Sequence, residues 1–194
     1  MSIKCIKLEI LKPYNESTDT TSRVSWKELG DVLYKCQYAV SHMANYVITQ
    51  LYLWSQFSFQ YKAEHGYYPK KSEFKEKTYF YPVLVKMNPK ISSLIISQTE
   101  RLAAQHYSSH MKGIQRLEES LPTFKLNFPI PIHNESYRIR KVVNAFGNDD
   151  YVIDVALLSK NAENQRLRYN MVLVVKDQSS RVILNRIING TYKQ

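Results

Sequence analysis

Glycine is scarce in this chain, with five in 194 residues. A glycine-rich loop that cradles phosphate is therefore excluded, and no G-x-S-x-G elbow is present. Cysteine is scarcer still. Cys5 and Cys36 stand far apart with no C-x-x-C, so neither a zinc ribbon nor a disulfide framework is encoded. Two buried thiols are expected instead. No apolar run reaches the roughly 18–20 residues that cross a bilayer. The opening Met-Ser-Ile-Lys-Cys-Ile-Lys alternates polar and apolar residues and lacks the continuous apolar core of a signal peptide. A cytoplasmic protein with no membrane partner is expected.

Acidic residues are outnumbered, 17 against 27 Lys and Arg, and they are scattered. A two-metal nuclease needs several carboxylates converging on one point. The adjacent pairs Glu118-Glu119 and Asp149-Asp150 fall at a helix end and in a turn, where solvated acids are common. His106 and His110 are four residues apart, but Tyr107 stands where a metalloprotease carries glutamate. Stacked surface histidines are the expectation. No catalytic residue, metal ligand or cofactor is predicted.

What the chain does have is positive charge and tyrosine. Its net charge is +10, which favours a polyanionic partner. At 44% hydrophobic residues it folds, so it is not a basic tail. Fifteen tyrosines are present, many beside Lys or Arg: Tyr61-Lys62, Tyr67-Tyr68-Pro-Lys-Lys71, Lys77-Thr-Tyr79, Tyr137-Arg138 and Arg168-Tyr169. Tyrosine can stack on bases while Lys and Arg meet phosphate. Any single tyrosine also suits an amphipathic core or rim position. As a set they point to nucleic acid.

The periodicity of the sequence gives an order of elements. Residues 3–12 alternate as a half-buried strand with Ile6, Leu8 and Ile10 on its apolar face. Ser25 and Glu28 make a capping box, and helical spacing then persists to about Lys62. Trp54, Phe57, Phe59 and Tyr61 thicken that end, to pack either on a second copy or on the chain's own next helices. Ser72 is expected to cap a short helix. Asn88-Pro89 is expected to open a second long helix with a stripe of Ile91, Leu94, Ile95, Gln98, Leu102, Tyr107, Met111, Ile114 and Leu117. Residues 136–143, 151–158 and 166–175 read as strands, with Gly147–Asp150 as a turn. Ser179 is expected to cap a last helix carrying Val182, Ile183 and Ile187, ended by Asn189-Gly190. The first strand has no neighbour in sequence and is expected to pair with the later strands.

Several landmarks in this order resemble the N-terminal half of the miniature type V-F CRISPR effectors and, more distantly, the transposon-encoded TnpB nucleases. They are Ile6-Lys-Leu-Glu-Ile-Leu-Lys-Pro13, Trp26-Lys-Glu-Leu29, His65-Gly-Tyr-Tyr-Pro-Lys70, Ser97-Gln-Thr99, Leu121-Pro-Thr-Phe-Lys125 and Arg186-Ile-Ile-Asn-Gly-Thr-Tyr192. The resemblance implies an α+β fold, with an antiparallel β-barrel-like wedge domain (1–22 and 121–194) and a helical recognition domain (23–120) inserted after its first strand. It implies guide RNA and target DNA as partners. Tyr68 and Ser72, with Ser93, Ser97 and the adjacent Gln98, match positions facing the duplex motif beside the target, the PAM. Nearby Lys70, Lys71 and Lys90 would hold phosphate. Guide RNA falls to the wedge residues Lys4, Lys12, Lys125, Arg138, Arg140 and Arg168. Dimerisation, in that family a property of the recognition domain, falls to Trp54, Phe57 and Phe59.

The family's acidic triad and zinc-binding insert lie beyond the last residue of this chain, as do further wedge strands. The chain is thus expected to be a fragment, a split product or a shortened relative, completed by a homodimer partner or a nuclease chain. By itself it is not expected to be an enzyme. Two other readings stay open: a nuclease-free RNA-binding regulator or accessory, and a helical dimerisation domain whose charge aids solubility.

Overall fold

Ser25 starts the first helix by accepting the Glu28 N–H on its hydroxyl at 3.1 Å, which meets one of the amide donors a helix start leaves unpaired. A computed structural model describes residues 8–15, 23–163 and 166–189 of the chain. In it, helix α1 spans Trp26–His65, a rod of about 60 Å. Gly66 ends it at φ +83° and donates its N–H to the Lys62 carbonyl, a left-handed cap that suits a residue without Cβ. Leu29, Val32, Cys36, Val40, Met43, Val47 and Ile48 are buried, as their three-and-four spacing predicts. Burial pushes the Cys36 thiol up to about 12, so it is protonated and unreactive. Cys5 lies outside the described residues.

The next segment departs from expectation. Ser72 caps no helix; it sits inside a 3₁₀ turn, Lys71–Glu73. One helical turn, α2 (Lys75–Thr78), follows without a side-chain cap. Helix α3 (Tyr81–Met87), with Pro82 in its first turn, was not foreseen. Helix α4 spans Ser93–Gln115 and begins after the predicted Asn88-Pro89 start. The cause is tertiary. Ile91 forms a β-bridge with Leu158, and the Ser92 N–H donates to the Leu157 carbonyl at 3.1 Å. Residues held in this way cannot also wind into a helix. The buried face of α4 is rotated too, to Ile95, Ile96, Thr99, Ala103, Tyr107 and Ile114. Leu102 and Leu117 are exposed at 36% and 93%. Small Thr99 and Ala103 take the covered positions, which a hydropathy stripe undervalues.

Strands β1 (Glu9–Pro13), β2 (Tyr137–Val143), β3 (Asp149–Ala156) and β4 (Arg168–Val174) form one antiparallel sheet in the order β1-β4-β3-β2. β1 pairs with β4, as expected of the first strand, and helices α1 to α4 lie between β1 and β2 in chain order. The sheet is open and not barrel-like. Four strands, each turned by roughly 20–25° from the next, do not bring edges β1 and β2 back together. The apolar face expected of β1 is also lost in part. Leu8 packs beside Tyr151 and Leu173, but Ile10 is 40% exposed and Ile6 lies outside the described residues. A bulge between Ile10 and Lys12 interrupts the alternation.

The β2–β3 turn is Asn144–Asn148, with Gly147 at φ +77°; Asp149 and Asp150 already belong to β3. Helix α5 (Gln178–Ile188) is capped by Asp177, not Ser179. Bonds from the Ser179 and Ser180 hydroxyls and the Ser180 N–H hold the Asp177 carboxyl at about 2. Leu184 fills the core under α5, while Val182 is exposed. The predicted stop falls at Asn189, the C-cap, with Gly190 outside the described residues. No helix among the described residues is long and apolar enough to cross a membrane.

One core runs without a break from the helices into the sheet. It includes Leu29, Met43, Leu84, Ile95, Leu157 and Tyr169. The extended segment after α4 is tied to α1 by a single amide. Asn45 Nδ2 donates to the Phe124 carbonyl at 2.9 Å, and the Phe124 N–H donates to Asn45 Oδ1 at 2.7 Å. Asn45→Ala leaves both backbone groups unpaired and is expected to lower unfolding stability by about 1–3 kcal/mol. Asn45→Asp, which keeps the acceptor, should fall between. Urea denaturation checks both.

Candidate nucleic-acid interface

In an antiparallel sheet, directly opposed residues share a face. One rung aligns Arg138, Asp154 and Asn170; the next aligns Arg140, Val152, Val172 and Lys12. Arg168 opposes Ala156 on the same side. The tertiary fold thus gathers Lys12, Arg138, Arg140 and Arg168 onto one sheet face. The reverse face sends Ile153, Val155, Tyr169 and Met171 into the core. Lys4 lies outside the described residues. Lys125 stands apart and exposed in the segment after α4, its carbonyl accepting the Phe128 N–H at 3.0 Å.

Two of the cations on this face are positioned by contacts to Asp154 and Tyr14. Arg168 pairs with Asp154 through Nε, and its buried Nη2 has no hydrogen-bond partner among the described residues. Arg140 lies over the Tyr14 ring, 5.2 Å from its centroid. Lys12, Tyr14, Arg23, Asn144 and Asp150 line a cleft of about 540 Å³ that crosses the same face. Asp150 is occupied by the Asn144 amide at 3.2 Å. Lys141 belongs to the opposite face, where its hydrogen bond to Asp149 holds its ammonium pKa above the usual lysine value. Chemically, the face carries the guanidinium groups of Arg138 and Arg140, a group type that matches phosphate, while the charge of Arg168 is met by Asp154. Among the described residues, no three His, Cys, Asp or Glu side chains are grouped to hold a metal ion.

The residues expected to face DNA fall into two groups. Tyr68 is 52% exposed, with the Lys62 ammonium 4.4 Å from its ring centroid. Tyr68 and Lys71 line a groove of about 450 Å³ against Tyr107, Met111 and Gln115 in the C-terminal half of α4. Lys70 and Ser72 are exposed on the same loop. Lys90, Ser93 and Ser97 are exposed around the other end of α4, with Gln98 half-buried. From Ser97 to Met111 the helix rises about 21 Å. His106 and His110 stack at 4.7 Å as expected, and His110 Nδ1 meets Glu119 at 2.6 Å.

At the aromatic end of α1, Phe74 from the following turn inserts 5.0 Å from Phe57 and 5.9 Å from Trp54. Of the two packing alternatives for Trp54 and Phe57, an intramolecular partner is present. Phe59 points elsewhere, edge-on to Tyr68 at 6.1 Å and 42% exposed. Sequence reasoning missed Tyr34 and Tyr38, exposed on the outer face of α1. Their four-residue spacing, out of phase with Val32, Cys36 and Val40, was the available signal.

No protein-family model matches the chain. Its sequence is similar to the CRISPR-associated endodeoxyribonuclease Cas12f1 of Sulfoacidibacillus thermotolerans, at 27% identity over 198 residues. That match takes in 98% of this chain and 44% of the relative, so the chain spans less than half the relative's length. A cryo-EM structure of a Cas12f1–sgRNA–target DNA complex shares the fold, with a TM-score of 0.52 at 14% identity over 88% of this chain and 38% of that one. The chain is therefore homologous to Cas12f1 and fits the N-terminal half of a type V CRISPR effector.

Phe74 is the cover of the aromatic cluster at the end of α1. Phe74→Ala is expected to cost about 1–3 kcal/mol, less than a fully buried ring. In a Trp26→Phe background it should also shift Trp54 emission to the red. Unchanged emission would show that Phe74 does not cover Trp54.

Proposed function

We propose that the chain is the nucleic-acid-recognition part of an RNA-guided DNA-targeting effector, with the cutting chemistry supplied elsewhere. The observation that carries this reading is the convergence of Lys12, Arg138, Arg140 and Arg168 on one sheet face, in a chain homologous to Cas12f1. Guide RNA lies on that face. Its backbone is gripped by guanidinium forks, while base pairing reads the target sequence. The sheet, with residues 1–22 and 121–194, serves as the wedge, and 23–120 serve as the recognition domain.

The PAM-side duplex lies along α4. Ser93, Ser97 and Gln98 offer hydroxyl and amide groups to base edges, and Lys90 meets phosphate. The Tyr68–Lys71 loop touches the same duplex about 20 Å away, roughly six base-pair steps. A second copy or a nuclease chain completes the assembly at the sheet edges or beside Phe59. The cytoplasm is where such a complex would act.

Charge reversal on the sheet tests this. Arg138→Glu with Arg140→Glu should weaken binding of structured guide RNA tenfold or more at low salt. It should also flatten the log–log salt dependence by about 1–2. Tyr68→Ala or Gln98→Ala should leave RNA binding intact and reduce the guide-dependent preference for duplex bearing the right flanking motif over scrambled duplex. RNA affinity indifferent to the arginine reversal would refute the sheet-face assignment. No RNA binding even at low salt would leave the dimerisation-domain reading. Sequencing RNA that co-purifies from the host identifies the guide.

A further inference from the structure

Between the outer face of α1 and the segment joining α3 to α4 lies a second groove, of about 540 Å³. Its walls are Tyr34 and Tyr38 on one side and Met87 and Ile91 on the other, with Lys35 and Lys90 among its lining residues. We propose that this groove is a stacking site for unpaired nucleobases, a single-stranded nucleic-acid subsite separate from the sheet face. The proposal deepens the nucleic-acid reading above and rests on it.

Five observations carry it. Tyr34 and Tyr38 expose 60% and 47% of their surface, although neither packs into the core. They are one helical turn apart, about 6 Å along the axis, a spacing that successive splayed bases can match. The next residue in the row, His42, has its ring 4.2 Å from Tyr38, so the aromatic row on α1 extends beyond the groove.

The opposite wall is rigid. The Lys90 carbonyl accepts the Ser159 N–H at 2.9 Å, the Pro89 carbonyl accepts the Ser159 hydroxyl at 2.5 Å, and Ile91 is bridged to Leu158. Pre-formed walls lower the ordering cost of binding.

The charge selects the occupant. Among the described residues no lining residue of the groove is acidic, and Lys35 sits where a phosphodiester backbone would pass while its bases enter, with Lys90 at the border shared with the α4 surface. A second copy of this chain would bring its own lysines and its own net charge of +10 to the same place, which repels. A flexible anionic strand with aromatic faces meets both features of the groove.

The test uses the full chain and fluorescently labelled strands of about twelve nucleotides in three forms: unstructured RNA, DNA of the same sequence, and an abasic strand with the same backbone charge. The unmodified protein should bind the base-bearing strands about tenfold or more tightly than the abasic one. The tighter of RNA and DNA identifies the source. Tyr34→Ala with Tyr38→Ala should abolish that preference with an unchanged thermal melt. Tyr34→Phe with Tyr38→Phe, which keeps the rings, should retain it.

Equal affinity for abasic and base-bearing strands, or a preference that survives the double alanine change, overturns the proposal. The outcome separates from the sheet-face reading. Arg138→Glu with Arg140→Glu should lower overall affinity for structured RNA yet leave the base-dependent ratio in place. If the arginine changes have no effect while the tyrosine changes do, the sheet reading alone fails.

Discussion

Two backbone hydrogen bonds join the start of α4 to the sheet: Ser92 N–H to the Leu157 carbonyl, and Ser159 N–H to the Lys90 carbonyl. Much of the molecule's geometry depends on this junction. It sets where α4 begins, because residues 89–92 are committed to the sheet side. It also fixes the wall that faces Tyr34 and Tyr38. The Cys36 thiol reaches the same Leu157 carbonyl from α1 at 3.9 Å, so the long helix, the second long helix and the sheet meet at one point. Buried backbone polar groups must find partners. Here the partners come from elements far apart in sequence, and the demand for pairing locks the helices onto the strands.

A second consequence is the division of labour between the faces of the sheet. The reverse face is continuous with the helical core, and the other face carries the charged side chains around the buried Val152 and Val172. Alternation along each strand separates the two sets of side chains with no further device. Lys12 comes from a strand 125 or more residues away from the arginines in sequence, and it joins them only because β1 pairs with β4. The basic face is therefore a product of topology, and the helical insertion between β1 and β2 does not disturb it.

Legibility differed from element to element for physical reasons. Helix α1 was readable because its signals are local: a capping serine and a long run of apolar spacing. The three consecutive strands were readable from alternation and a glycine turn. Helix α3 was missed because seven residues give too short a window for periodicity. The α4 start was misplaced because a proline signal at 89 competes with hydrogen bonds the sequence does not show. Ser179 lost its cap to Asp177 because a carboxylate two residues earlier accepts the Ser180 N–H and both serine hydroxyls. For the candidate site, the identities of the cations were legible and their grouping was not. The split of the proposed DNA-facing residues along α4 also needed the fold.

What the sequence determined alone was composition and local form: a basic, tyrosine-rich chain with long helices between a first strand and three later ones. The resemblance to type V effectors was legible there too, because it rests on short motifs in a set order. Only the tertiary structure decided that the sheet stays open, which side chains share a face, and that Phe74 covers the aromatic end of α1. The reason is range. Caps, turns and periodicity act within a few residues of one another, whereas strand register, buried hydrogen bonds and core packing join residues that only the folded chain brings together.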